Sequence, residues 1–228
     1  MKHLLLLLAL AATVAGSILP QSLAAANKET ARVEEAISVL NQISSIPEKS
    51  IPPWLLKDAY GVAVIPNVIK AGFIIGGRYG WGILSVQRNG QWSPPVFVSL
   101  TGGSVGYQAG VEATDVVLVF KESNSITKIT TGKFTLGADA SAAAGPVGRT
   151  ASGGTEANLK SAVYSYSRSR GLFAGVALEG SVIEVDYDAD AAFYGKANLT
   201  PDMIFSGKDI KMSPVVEELR GTLAKIEQ

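Results

Sequence analysis

Residues 164–180 read YSYSRSRGLFAGVALEG and place two guanidinium groups, Arg168 and Arg170, two residues apart. On a strand both project to one face, roughly 6.5–7 Å apart. That spacing suits paired contacts to one phosphate or to neighbouring phosphates, because a guanidinium offers parallel N–H donors in a fixed fork. The same two groups can instead answer internal carboxylates, with Glu179 and Asp139 as candidates, since ion-pair networks inside folds are common. Both uses fit the residues.

Other stretches carry weaker chemistry. Asp186, Asp188 and Asp190 alternate, with Glu179 and Glu184 close by, and alternating carboxylates can gather a hard cation through oxygen ligands. Against an EF-hand loop, however, the sixth position is Ala191 and the twelfth is Ala197, where glycine and glutamate are needed. The competing reading is a polar strand end entering a helix N-terminus, where acids are favoured by the dipole. Gly102-Gly103-Ser104-Val105-Gly106 spells G-x-S-x-G, but a nucleophile elbow requires a helix after it and a later histidine. A strand-like segment follows and no later histidine exists, so hydrolase chemistry of that type is rejected. The run GGRYGWG at 76–82 matches neither G-x-G-x-x-G nor a P-loop and reads as a glycine-rich sheet bend. Asn198-Leu199-Thr200 is a glycosylation sequon, meaningful only in a eukaryotic secretory host.

Composition narrows the chemistry further. No cysteine occurs, and the only histidine is His3. Disulfides, thiolate catalysis, a Ser-His-Asp triad and ordinary zinc sites are therefore excluded from the region after the leader. Glycosidase-type catalysis needs only two carboxylates ~5–10 Å apart, and Asp139, Glu179 and Asp186 are the groups that could supply such a pair. The expectation is nonetheless a non-enzymatic protein with no metal and no cofactor.

The first 26 residues are unlike the rest. Lys2 precedes an apolar run from Leu4 to Leu19, then Pro20 and the small-residue stretch SLAAA with Ala24 and Ala26. A charged start, a short apolar core and an Ala-x-Ala site predict a secretory signal peptide over 1–26, cleaved near Ala26. The run is shorter than the ~20 residues a spanning helix needs. The mature chain, 27–228, is expected to be periplasmic or secreted. Taking Lys2 from the 20 basic residues leaves 19 against 20 acidic, so the mature chain is close to neutral and nucleic acid is not an expected partner.

The elements that must position these groups follow from periodicity. Over 27–46, Val33, Ile37, Leu40 and Ile43 recur at spacings of three and four between charges, which predicts an amphipathic helix. Proline near the start and glycine just past the end predict a short helix over 53–60. GVAVIP, AGFIIGG, WGILSVQ, PVFVSL, GYQAGVEA and DVVLVF then read as short strands. Asn89-Gly90 between two of them is a two-residue hairpin turn. KFTLGADASAAAG, AVYSYSRS, LFAGVAL and SVIEVDY continue the strand pattern, and 138–158 could be loop or small-residue strand. Helical signals return at 189–194, at Thr200-Pro201 and at Ser213-Pro214, the last followed by the stripe Val216, Leu219, Leu223 and Ile226. The fold class expected is a single α+β domain: a large, curved, mainly antiparallel sheet or partial barrel with N-terminal and C-terminal helices.

GVAVIP, GGRYGWGILSVQ, WSPPVFVSLTGGSVGYQAGVEATDVVLVF, KFTLGADASAAAGPVGR, SYSRSRGLFAGVALEG and FYG occur in that order. They resemble the SYLF-domain family, a lipid-binding module also described as an actin-binding domain in eukaryotic endocytic proteins. The resemblance runs from about Ala31 to the C-terminus, and the family's SYSRSKG pattern stands here as SYSRSRG, with Arg170 keeping the positive charge. It implies a non-enzymatic, membrane-associated module whose partners are anionic phospholipids or a membrane surface. Arg78, Arg149, Arg168 and Arg170 are then the expected contacts to lipid phosphate, and Val33, Ile37 and Leu40 of the first helix the expected membrane contacts. With an export signal, the chain reads as a bacterial exported member, for which an envelope protein is the alternative partner and actin an implausible one.

Overall fold

The computed structural model describes residues 21–45, 50–147, 160–169, 172–208 and 210–228, of which 21–25, 73–75, 104–110, 172 and 173 are considered through their backbone alone. The chain opens with helix α1 (Gln21–Ser44) and the short α2 (Pro53–Lys57). Two very long strands follow, β1 (Gly61–Arg88) and β3 (Val96–Phe120), with β2 (Gln91–Trp92) between them. Then come α3 (Ser123–Thr131), the short strands β4 (Phe134–Thr135), β5 (Ala142–Ala144), β6 (Val163–Ser169), β7 (Leu172–Gly175) and β8 (Val182–Val185), and helices α4 (Tyr187–Tyr194), α5 (Pro201–Ser206) and α6 (Pro214–Ile226). The α+β class and the terminal helices match the reading of the sequence. The sheet is mainly antiparallel, as expected, with one parallel pair, β5 beside β6.

The three runs GVAVIP, AGFIIGG and WGILSVQ form one continuous strand, and so do PVFVSL, GYQAGVEA and DVVLVF. Their register holds from Gly61 opposite Phe120 to Leu84 opposite Val96, with irregularities at Ile65/Val68 and Gly72/Ile74. Pro66-Asn67, which bounds a short strand in the sequence reading, is a bulge inside one strand, and the glycine run is a bend with close backbone approach, as read from the sequence. Asn67 takes the bulge at φ 51°, a left-handed geometry that asparagine tolerates. The Asn89-Gly90 turn closes the hairpin as expected, both residues having positive φ (53° and 73°), as a type I′ turn demands.

Alternation along the ribbon divides the core in two. Val62, Val64, Ile83, Phe97, Val117 and Val119 face α1, α2, α4 and α6, whereas Ala63, Ile65, Leu84, Val98, Val116 and Leu118 line the other face with Ile129, Phe134, Ile204 and Phe205. The segment 123–131, rich in Ser and Thr, was not legible as α3; packing of Ile129 against the second core holds it helical. Caps follow the sequence signals more closely. Thr200 Oγ1 accepts from the Met203 amide at the start of α5, and Pro214 occupies the first turn of α6.

What curls the sheet is contact of β1 with itself. A Cβ at Gly82 would lie 2.1 Å from the Val64 carbonyl oxygen, one at Gly76 would lie 2.2 Å from that of Ala71, and one at Gly80 would meet Ile65 and Val68 at 2.9 Å. The second half of β1 therefore runs back over the first, backbone against backbone at Gly76 and Gly82 and against the Ile65 and Val68 side chains at Gly80, and the Gln87 amide donates to the Tyr60 carbonyl at 3.0 Å where the curl closes. Because backbone, not a yielding side-chain tip, occupies the space, Gly82→Ala is expected to lower stability by about 3 kcal/mol or more. Chemical denaturation of the variant checks this; an unchanged midpoint would mean that the two halves of β1 are not in contact.

Candidate functional site

The opening motif lies on β6. Tyr164, Tyr166 and Arg168 face one side, opposite Val119, Val117 and Asp115 of β3. Both tyrosines are buried, and the Tyr166 hydroxyl donates to the Pro146 carbonyl at 3.0 Å. Arg168 Nε donates to Asp115 Oδ2 at 2.8 Å, its Nη2 reaches the same oxygen, and its Nη1 donates to Gln42 Oε1 of α1. The other oxygen of Asp115 accepts from the Asn67 amide at 3.0 Å, so one buried carboxylate joins the bulge of β1 to β6 and, through the arginine, to α1. The internal-carboxylate reading of Arg168 is the one seen, but the partner is Asp115 rather than Glu179 or Asp139. The available signal was a lone acid in DVVLVF, in step with Val117 and Val119 on a buried face.

The remaining expected phosphate contacts differ. Arg149 and Arg170 lie outside the described residues. Arg78 is paired across the ribbon with Gly102, and its stem runs 3.3 Å from where a Gly102 side chain would begin. Its Nε is buried without a hydrogen bond among the described residues, and burial pulls its ionisation below the usual guanidinium range. Of the two described arginines proposed from the sequence, this one has no ion pair among the described residues.

The expected membrane contacts require a correction. Val33, Ile37 and Leu40 are 0, 4 and 0% exposed and pack in the core beneath α1. Each such side chain is worth about 1.5–3 kcal/mol when buried, so α1 is a structural helix here and its stripe is not offered to a membrane.

The acids also have structural work. Asp186 caps α4, accepting from the Ala189 amide at 3.1 Å, and lies 3.7 Å from Arg32. Asp190, 1% exposed, accepts from the Phe97 amide at 2.9 Å. Asp139 accepts from the Thr135 amide at 2.7 Å and pairs with Lys128. Among the described residues no three acids or histidines are grouped to hold a metal. The segment 102–106 lies inside unbroken β3, with no strand-turn-helix elbow.

Sequence reasoning missed the buried charges under α1. Arg32 pairs with Glu29 at 2.9 Å and lies over the Phe97 and Trp81 rings, 5.5 and 6.0 Å from their centroids. Burial raises the Glu29 carboxyl above its ordinary value, against the pull of Arg32. Burial likewise pushes Asp190 up to about 7, opposed by the Phe97 amide and helped by the neighbouring Asp186 and Glu29 charges.

Two measurements follow from this geometry. Arg168→Ala strands the buried Asp115 charge and is expected to cost about 2–3 kcal/mol, the figure for a buried pair reduced for the partial exposure of the arginine. Asp115→Asn in the same chain should recover part of that loss, and a denaturation cycle with no coupling would remove the pair from the account. For Asp190, the fold favours the protonated form, so its contribution is fully present below about pH 4 and is lost as pH rises through about 7. The displacement from 3.8 to about 7 corresponds to at most about 4 kcal/mol, less than the buried stripe of α1 supplies. Thermal stability should therefore fall between about pH 4 and 7 and level off above it, with α1 still docked, and Asp190→Asn should flatten the profile; an equally steep profile in the variant would assign the titration elsewhere.

A family described as Ysc84, Las17-binding protein actin regulator, matches residues 101–226. Protein YSC84 of Saccharomyces cerevisiae is 38% identical over 205 residues, covering 88% of this chain and 43% of that protein. The SH3 domain-containing YSC84-like protein 1 of Xenopus laevis is 32% identical over 192 residues, covering 83% of this chain and 57% of that protein. The chain thus spans about half the length of these relatives. With the match extending over more than half of its length, through the long strand β3, the SYSRSRG strand and the C-terminal helices, the chain belongs to the Ysc84/SYLF family.

Proposed function

We propose that the chain is an exported, non-enzymatic protein that binds anionic lipid surfaces from one side of the membrane. The observation that carries this reading is Arg78, a half-buried guanidinium whose burial disfavours its charge and which has no carboxylate partner among the described residues. A phosphate oxygen supplies what such a group lacks, a desolvated acceptor of opposite charge. Arg149 and Arg170 are the accompanying candidates, while Arg168 serves Asp115. No helix among the described residues is long and apolar enough to cross a membrane, which suits attachment at the surface. Export rests on the leader at 1–26, and with it actin lies out of reach.

The alternative is an envelope structural or protein-interaction module that does not bind lipid. It draws on the family description, Las17-binding protein actin regulator, and on a Saccharomyces cerevisiae relative named LAS seventeen-binding protein 3, both of which name Las17 rather than lipid.

Co-sedimentation with neutral and anionic vesicles tests the first reading. The mature chain should partition onto anionic vesicles at low salt and release as salt rises. Arg78→Gln should weaken partitioning about fivefold, the effect of one cation near an anionic surface. A folded wild type that ignores anionic vesicles at low salt would leave the protein-interaction reading in place. Mass spectrometry of the secreted product should give an N-terminus at Asn27, and an intact Met1 in the exported fraction would contradict cleavage.

A further inference from the structure

Among the described residues the exposed aromatic side chains are Tyr60, Tyr79, Trp81 and Tyr187, and Arg32, 6.0 Å from the Trp81 ring and 3.7 Å from Asp186, links the β1 pair, Tyr79 and Trp81, to the start of α4. Tyr79 and Trp81 stand in contact, ring centroids 4.2 Å apart and edge to face. Alternation on β1 puts them on the face that carries Ile83 into the core beneath α1. There the sheet runs out from under the helix, and the two rings remain about two-fifths exposed. Lys28, exposed on the first turns of α1, holds its ammonium 5.7 Å from the Trp81 ring centroid. Tyr187, half exposed, follows Asp186, which faces Arg32 across from the same ring.

Charge at this end is sorted. Glu29 and Asp190 are buried, and Asp186 is turned toward Arg32 and the first turn of α4. Outward stand Lys28, the exposed acid Asp188 beside Tyr187, and Glu184, which is in register with Trp81 across Ser99 and is paired with Lys133 at 3.0 Å. Cleavage after Ala26 would add the amine of Asn27, mostly protonated near neutral pH, next to Lys28. Tyrosine and tryptophan, each apolar in body and polar at one edge, are the side chains that rest best at a lipid–water boundary.

We infer that Tyr79, Trp81 and Tyr187, with Lys28, form the face that lies on an anionic membrane surface. This rests on the lipid-binding reading above and adds a contact that reading does not contain, because Arg78 projects from the opposite face of the same strand. The aromatic rings enter the headgroup region while the ammonium of Lys28 meets lipid phosphate.

The test uses the full mature chain with vesicles of phosphatidylcholine alone or mixed with phosphatidylglycerol, some carrying brominated acyl chains, read by sedimentation and by tryptophan emission. Trp92 is buried and Trp54 half-buried, so the emission that shifts to the blue and is quenched by bromine should belong to Trp81 and vanish in Trp81→Phe. Tyr79→Ser with Trp81→Ser should lower partitioning about tenfold or more, the rings' transfer free energy expressed as an affinity. Lys28→Glu, a surface change that leaves the core untouched, should lower it on anionic vesicles alone and keeps the test open if the double variant unfolds. Bound protein whose Trp81 emission neither shifts nor is quenched would overturn this face and leave the lipid-binding reading standing. A folded wild type that does not sediment with any vesicle would overturn both.

Discussion

Two backbones can lie against each other only where side chains are absent, and this fold depends on one such place. Gly76, Gly80 and Gly82 let the second half of β1 settle directly on Val64, Ile65, Val68 and Ala71. Curling follows from that contact, and from the curl follow two separate apolar faces, one roofed by α1 and α6, the other filled by Ile129, Phe134 and Phe205. The same stretch carries Tyr79 and Trp81 on the opposite face from these glycines, so closure of the sheet and display of the aromatics come from one stretch of sequence.

A second constraint ties the curled ribbon to its neighbours. Asp115 is buried, and it is tolerated because the Asn67 amide and the Arg168 guanidinium share its two oxygens. The bulge at Pro66-Asn67, the β3–β6 register and the seat of α1 through Gln42 thus meet at one carboxylate. A signature that looks made for an anion is, at Arg168, answered by an anion the protein brings itself. Glu29, Arg32, Asp186 and Asp190 repeat the device under α1, with fewer donors than the carboxylates could use, which is why burial holds Asp190 close to neutrality.

Periodicity made much of this legible. The stripe Val33, Ile37, Leu40, Ile43 gave α1, Asn89-Gly90 gave the hairpin, and proline after Thr200 or Ser213 gave the starts of α5 and α6. The length of β1 was hidden because Pro66, Asn67 and the glycines carry the same local signal whether they turn a chain or bend a strand. Helix α3 was hidden because Ser, Thr and Ile have weak helix preference and only tertiary packing selects it. At the candidate site the residue types were legible but their partners were not. Which acid meets Arg168 depends on β3–β6 register, and whether Val33 faces lipid or core depends on what α1 packs against; both are long-range facts.

The central proposal is that membrane contact belongs to the uncovered end of β1 and the start of α1, while β6, Val163–Ser169, serves the fold. Hydrogen exchange of the mature chain, with and without anionic vesicles, addresses it directly. The account predicts added protection over residues 77–82 and 27–32 on vesicle binding, with 163–169 already protected and unchanged. Protection gained at 163–169, with 77–82 unaffected, would contradict it.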